Sequence, residues 1–224
     1  MKTHSKIQFI LQGLSFVCLA SIAGLIAPVI FYVIIGLATL LRQGYNPLQE
    51  TISILAIGTL GWLPNIGFYI YGFLLLIFAI RLYTATDRKI SSRIGSISFS
   101  FMSIGLLLVG IFPTRENEAA YTTETLIHSI AGGVIFLSFS VSVFSYAIRF
   151  KEEPLWRKYY IYTLITCIVS AVLIILGLLA PSSWKWSGLH ERLFIANGIV
   201  WIAVISIRLL QMCVLQLRTR SDID

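Results

Sequence analysis

Six apolar runs, at about 13–40, 61–82, 94–112, 125–148, 159–180 and 193–216, take up most of this 224-residue chain. Each is near or above the roughly 18 residues at which an apolar stretch reads as a membrane-crossing helix. Hydrocarbon offers the backbone no hydrogen-bond partners, and an α-helix satisfies its own N–H and C=O groups within one segment. The fold class that follows is all-α, an integral membrane six-helix bundle. Only 12% of the residues are charged, against about 25% in a soluble domain. No stretch between the runs is long enough for a separate soluble unit, so residues 1–224 read as a single transmembrane domain. Lys2 and Lys6 precede the first run, as in a signal peptide. A signal h-region spans roughly 7–15 residues, and this run continues well beyond that, so it reads as a retained span.

The net charge of +7 is explained by orientation rather than by nucleic acid. When alternate flanks are assigned to alternate sides, 13 of the 17 basic residues fall on one side and four, Arg42, Arg115, Lys185 and Arg192, on the other. Short cytoplasmic loops carry the Lys/Arg excess, so both termini are expected in the cytoplasm. In a prokaryotic cell this places the chain in the plasma (inner) membrane, its basic side meeting anionic lipid. Cys18, Cys167 and Cys213 all lie inside apolar runs. An odd count without a pairing pattern argues against a disulfide framework and reads as small buried hydrophobes.

Pro28 is expected to kink the first helix, and Gly44 suits its stop. In Tyr45-Asn-Pro-Leu-Gln49, Asn46 fits an N-cap, Pro47 the first helical position and Gln49 the capping-box partner. A helix from 47 to 82 would be about 54 Å long, far more than the roughly 30 Å hydrocarbon core. A break at Gly58, Gly61 or Pro64 is therefore expected, with a short extra outer helix near 47–58 and Trp62 at the interface. Ser96, Ser100 and Ser103, and then Gly132, Gly133, Ser138, Ser142 and Ser145, have the small-residue spacing of helix-packing seams.

Ionisable and polar residues of mixed type gather at the outer helix ends: Arg42, Asn46, Glu50, Ser53 and Asn65; Arg115, Glu116, Glu118, Glu124 and His128; His190, Glu191, Arg192 and Asn197. Glu124 and His128 are four apart on one helix face, where a carboxylate can fix the imidazole tautomer. Arg192 sits where the helix dipole disfavours a cation, so an acidic partner or an anionic ligand is expected for it. Charges at a membrane edge are costly unless paired. An outer polar pocket is the economical reading, with Arg42, Asn46, Glu124, His128, His190, Glu191 and Arg192 as its ligand-binding candidates. Candidate catalytic groups are Glu124, His128 and Ser53, the serine needing a base within reach. Candidate metal ligands are His128, His190 and Glu191, which have the right atom types but no local spacing. His4 reads as solvated.

Arg42-x-Gly-Tyr-Asn-Pro47, Phe112-Pro-Thr114, His128 and Gly188-Leu-His-Glu-Arg192 together resemble the domain-of-unknown-function 998 family, six-span prokaryotic membrane proteins similar to the Frag/DRAM/Sfk group. The resemblance covers nearly the whole chain. It implies the six-span fold, a role for Asn46, Pro47, Ser53, Pro113, His128, Glu191 and Arg192, and a link to lipid handling. The chain departs from the pattern where Arg115 intervenes before the acid Glu116.

The expected function is an outer-face polar pocket that binds a lipid headgroup or a partner. The alternatives are a membrane-embedded hydrolase or transferase acting on an outer-leaflet lipid, with His128 and Glu124 as base and Arg192 as anion clamp, and a small transporter. Membrane lipid is the expected partner, with a lipid or small-molecule ligand at the outer face and no nucleic acid; neither cofactor nor reaction is indicated.

Overall fold

In the computed structural model, residues 2–114, 122–181 and 183–221 are described. Arg115, Glu116 and Glu118 lie outside them, as do the side chain of His4 and the last three residues. Six α-helices run through the described residues: α1 Lys2–Leu41, α2 Trp62–Thr84, α3 Ile90–Ile111, α4 Thr123–Glu152, α5 Tyr160–Leu179 and α6 Ser187–Ser221. All six are long and apolar enough to cross a membrane. Each helix packs chiefly on its neighbours in sequence, and α6 closes the ring against α1. α1 continues without interruption through Pro28.

The centre of the ring is aromatic. Trp201 of α6 is fully buried and meets Phe78 of α2 at 6.4 Å, Phe99 of α3 at 6.2 Å and Phe139 and Tyr146 of α4 at 6.2 and 6.3 Å between ring centroids. Aromatic pairs at such separations add attraction beyond the area they bury. The small residues of α3 and α4 do form a seam. Ser142 Oγ donates to the carbonyl of Gly95 at 2.8 Å, and Ser96 Oγ lies 2.6 Å from Tyr146 Oη. Gly95 is needed there, because a Cβ would lie 2.8 Å from the Tyr146 ring. Gly132 and Gly133 differ from this expectation: no atom lies within 4 Å of a Cβ built on either, so they leave space rather than close contact.

α5 is attached by a polar edge. Its buried residues are Thr163, Thr166 and Ser170. Asn197 Nδ2 donates to Ser170 Oγ at 2.9 Å and to the Thr166 carbonyl at 3.1 Å, and Trp201 Nε1 donates to Thr163 Oγ1 at 3.1 Å. Asn197 thus belongs to the α5–α6 seam and not to the outer polar group.

Cys18 and Cys213 form a disulfide between α1 and α6, their Cα atoms 5.7 Å apart across a sequence separation of 195. This overturns the reading of all three cysteines as unpaired; only Cys167 is free. The odd count misled because one thiol is simply left over, and nothing in the sequence shows that α1 and α6 are neighbours.

The end of α4 and the loop after it carry a buried ion cluster. Arg149, buried at 1% exposure, bonds Glu153 at 3.0 Å and Glu152 at 3.1 Å and pairs with Asp87 at 3.5 Å. Trp156 folds under the bundle, stacks on Phe150 at 4.7 Å and donates to the carbonyl of Ala85 at 3.2 Å. A buried charge is tolerable only with such partners.

Candidate functional site

The segment between α1 and α2 builds the end of the bundle that the charge pattern assigns to the outside. Gly44, at φ 76°, ends α1 in the left-handed conformation that glycine adopts without penalty. Asn46 acts as a cap, its Oδ1 accepting from the Leu48 N–H at 3.1 Å. The reciprocal partner is Glu50, whose carboxylate accepts from the Asn46 N–H at 2.7 Å; the expected partner, Gln49, is not used. The turn does not propagate into an α-helix from 47 to 58. Instead a short 3₁₀ helix forms over Ile52–Ala56, and Gly58 at φ 88° breaks the chain before α2. The break falls where the glycines predicted it, but the helix is shorter and tighter because its backbone is gripped from outside.

Much of that grip comes from two adjacent residues of α6. Glu191 accepts the N–H of Ile52 at 2.6 Å. Arg192 Nη1 donates to the carbonyls of Pro47 at 2.7 Å and of Glu50 and Gly188 at 3.0 Å, while Nη2 donates to Tyr45 Oη at 2.6 Å. These partners of Arg192 are carbonyls and a phenol, not the acid or anionic ligand expected for it, so the helix-end arginine is a backbone clamp. The start of α6 abuts the same turn: Leu189 N–H donates to the Leu48 carbonyl at 2.9 Å. A side chain at Gly188 would collide with the carbonyls of Glu50 and Pro47. Arg42 works similarly from α1, donating to the carbonyls of Ile54 and, at 2.7 Å, Ile57. Arg42, Asn46 and Arg192 therefore shape the site from behind.

Behind this clamp a cavity of about 80 Å³ opens into the bundle. Ser53, His128 and Glu191 line its polar part; Phe31, Phe68, Tyr71, Phe136, Phe139 and Phe194 are among its aromatic walls. His128 is positioned by α4, whose N-cap Thr122 accepts from the Thr125 N–H at 3.2 Å. Its Nδ1 lies 2.7 Å from the carbonyl of Phe112. A carbonyl only accepts, so Nδ1 carries the proton and Nε2 is the acceptor of the neutral ring. The expected pairing with Glu124 is replaced by this bond to the end of α3. Ser53 Oγ lies 3.0 Å from Thr51 Oγ1. Glu124 is not among the cavity-lining residues.

His190 is elsewhere. Its Nε2 lies 2.6 Å from the Leu173 carbonyl and its ring 5.2 Å from that of Trp184. It lines a separate groove of about 400 Å³ between α4, α5 and α6, with Gly133, Leu137, Ile174, Gly177 and Leu178. The two histidines share an end of the bundle but not a site. Among the described residues no three His, Cys, Asp or Glu side chains converge to hold a metal. The aromatic walls gave no separate signal in the sequence, where a chamber-lining Phe and a core Phe look alike.

Six helices long and apolar enough to cross a membrane, packed around one chamber, define a multi-pass helical membrane protein. The chain belongs to the family described as "Protein of unknown function (DUF998)", whose model matches residues 25–208. No curated protein and no solved structure matches it.

Proposed function

We propose that the chamber is a binding site for the polar end of a membrane lipid, in a protein of the plasma membrane with both termini in the cytoplasm. One observation carries this reading. Ser53, His128 and Glu191 come from three separate elements to line one cavity whose remaining walls are apolar but for the Tyr71 phenol. Binding sites typically pair an apolar envelope with a few convergent polar groups, and here the surrounding solvent is lipid. The orientation rests on the 13-to-4 division of basic residues. The test is native mass spectrometry of lipids that stay with the purified protein, wild type against Gly132→Leu. Gly132 lines the chamber with no atom within 4 Å of its would-be Cβ, so the leucine fills the space without a clash at its root. Loss of bound lipid in the variant is expected; an unchanged lipid complement would sink the reading.

Ser53 and His128 lining the same cavity also supports a second reading, a lipid hydrolase with the serine as nucleophile and the imidazole as base. Lipid cleavage by the wild type and its loss in Ser53→Ala would favour that reading; a lipid retained intact favours binding alone.

A further inference from the structure

The polar lining of the chamber has a definite sign. Glu191 brings a carboxyl, His128 brings the accepting Nε2 of its ring, and Ser53 a hydroxyl. No Lys or Arg is among the described residues that line it. The arginine nearest in sequence, Arg192, directs Nη1 to three carbonyls and Nη2 to Tyr45. Phosphate recognition calls for cationic forks or arrays of N–H donors, and this lining supplies neither; its polar groups accept, and only the hydroxyls of Ser53 and Tyr71 can also donate. A head that donates hydrogen bonds, a hydroxyl or an amine, matches it. The volume points the same way. A water needs about 10–15 Å³ of such space, so about 80 Å³ takes a small head and not a phosphodiester with its substituent.

The chamber also has a neighbour. Phe136 and Phe194 line both the chamber and the groove that carries His190. Their rings stand edge to face, 4.5 Å between centroids, and form the partition between the two spaces. The adjacent glycines divide in the same way, Gly132 to the chamber and Gly133 to the groove. The groove is apolar apart from His190, whose Nε2 is engaged by the Leu173 carbonyl. It lies within segments long and apolar enough to span the membrane, where acyl chains are the solvent.

We propose that the ligand is a single-chain amphiphile with a hydroxyl or amine head and no phosphate, its head in the chamber at Ser53, His128 and Glu191 and its chain laid past Phe136 and Phe194 into the groove floored by Gly133. This rests on the chamber being the binding site and adds the chemistry of the head and the lateral path of the chain.

The test uses the full-length protein in lipid nanodiscs. The probes are a monoacylglycerol and a long-chain primary amine with a photoreactive diazirine in mid-chain, and a lysophosphatidate of the same chain and label. Labelled peptides are mapped by mass spectrometry in wild type, Gly132→Leu and Gly133→Leu. No atom lies within 4 Å of a Cβ at either glycine, so the fold tolerates both, and thermal unfolding checks this. In the wild type the hydroxyl and amine probes label the groove segments of α4 and α5 at least tenfold more than lysophosphatidate does, and each leucine variant cuts that labelling at least tenfold. Equal labelling by lysophosphatidate overturns the head chemistry. Loss in Gly132→Leu with retention in Gly133→Leu overturns the lateral path and leaves the chamber as the binding site. Loss in Gly133→Leu alone means a chain in the groove with no head in the chamber, and overturns this proposal together with the function on which it rests.

Discussion

The main-chain N–H of Ile52 donates to the carboxylate of Glu191 at 2.6 Å, across 139 residues of sequence. The next residue, Arg192, donates to carbonyls of the same outer turn. Two adjacent side chains of opposite charge therefore hold one stretch of backbone by its donors and its acceptors. Ile52 is completely buried, so its N–H has no water to turn to. Glu191→Ala leaves that donor unsatisfied, a cost of about 1–3 kcal/mol, and Glu191→Gln, which keeps a carbonyl acceptor, costs less. Thermal unfolding in detergent should rank the Tm values wild type, Gln, Ala in descending order.

Arg192→Lys is not a conservative change here. The guanidinium presents donors in a fixed planar fork, and an ammonium is a single point with three. The lysine cannot reach the carbonyls of Pro47 and Glu50 and the Tyr45 hydroxyl together in the same geometry. Hydrogen exchange of the amides at 48–54 should accelerate at least tenfold in the variant, while exchange in α3 and α4 stays as in the wild type.

Tyr45 gives the outer turn a pH dependence. Burial pushes its phenol above the usual range, and the bond from Arg192 offsets only part of that. An unfolded tyrosine ionises near 10. The stability contributed by the neutral phenol is thus complete below about pH 10 and is lost as pH rises through the higher folded value. The Tm difference between wild type and Tyr45→Phe should be constant from pH 7 to 9 and shrink above pH 10.

The disulfide predicts a cysteine count. Under denaturing, non-reducing conditions a maleimide-polyethylene glycol reagent should add once, at Cys167, and after reduction three times. The double replacement Cys18→Ala with Cys213→Ala should lower stability by about 2–5 kcal/mol, as loss of a long-range crosslink does.

The six spans were legible because hydrocarbon demands length and apolarity, and the sequence shows both directly. Gly44 and Gly58 were legible because positive φ selects glycine. The site was half legible. His128 and Glu191 do meet at one chamber with Ser53, while Arg192 bonds the outer turn's carbonyls and Glu124 is not among the chamber-lining residues. Charge spacing along a helix shows what two side chains can reach, and it says nothing of main-chain carbonyls from a distant turn. His190 was grouped with His128 because equal depth in a membrane was taken for proximity, whereas rotation about α6 sends it to the opposite side of Phe194. The buried cluster of Arg149 was not legible, since the sequence does not show that Asp87, Glu152 and Glu153 converge on it.

The link between Cys18 and Cys213 makes the chain a covalent hoop: the first helix is fastened to the last, and four helices are strung between them. A bundle built this way cannot breathe by shedding either end. If it opens, it must do so by parting the helices strung along the hoop, and the lightest attachment among them is the threonine and serine edge by which α5 meets α6. The same helix carries Gly177 and Ile174 into the groove of Gly133, so the crosslink concentrates the bundle's compliance on the helix that walls that groove.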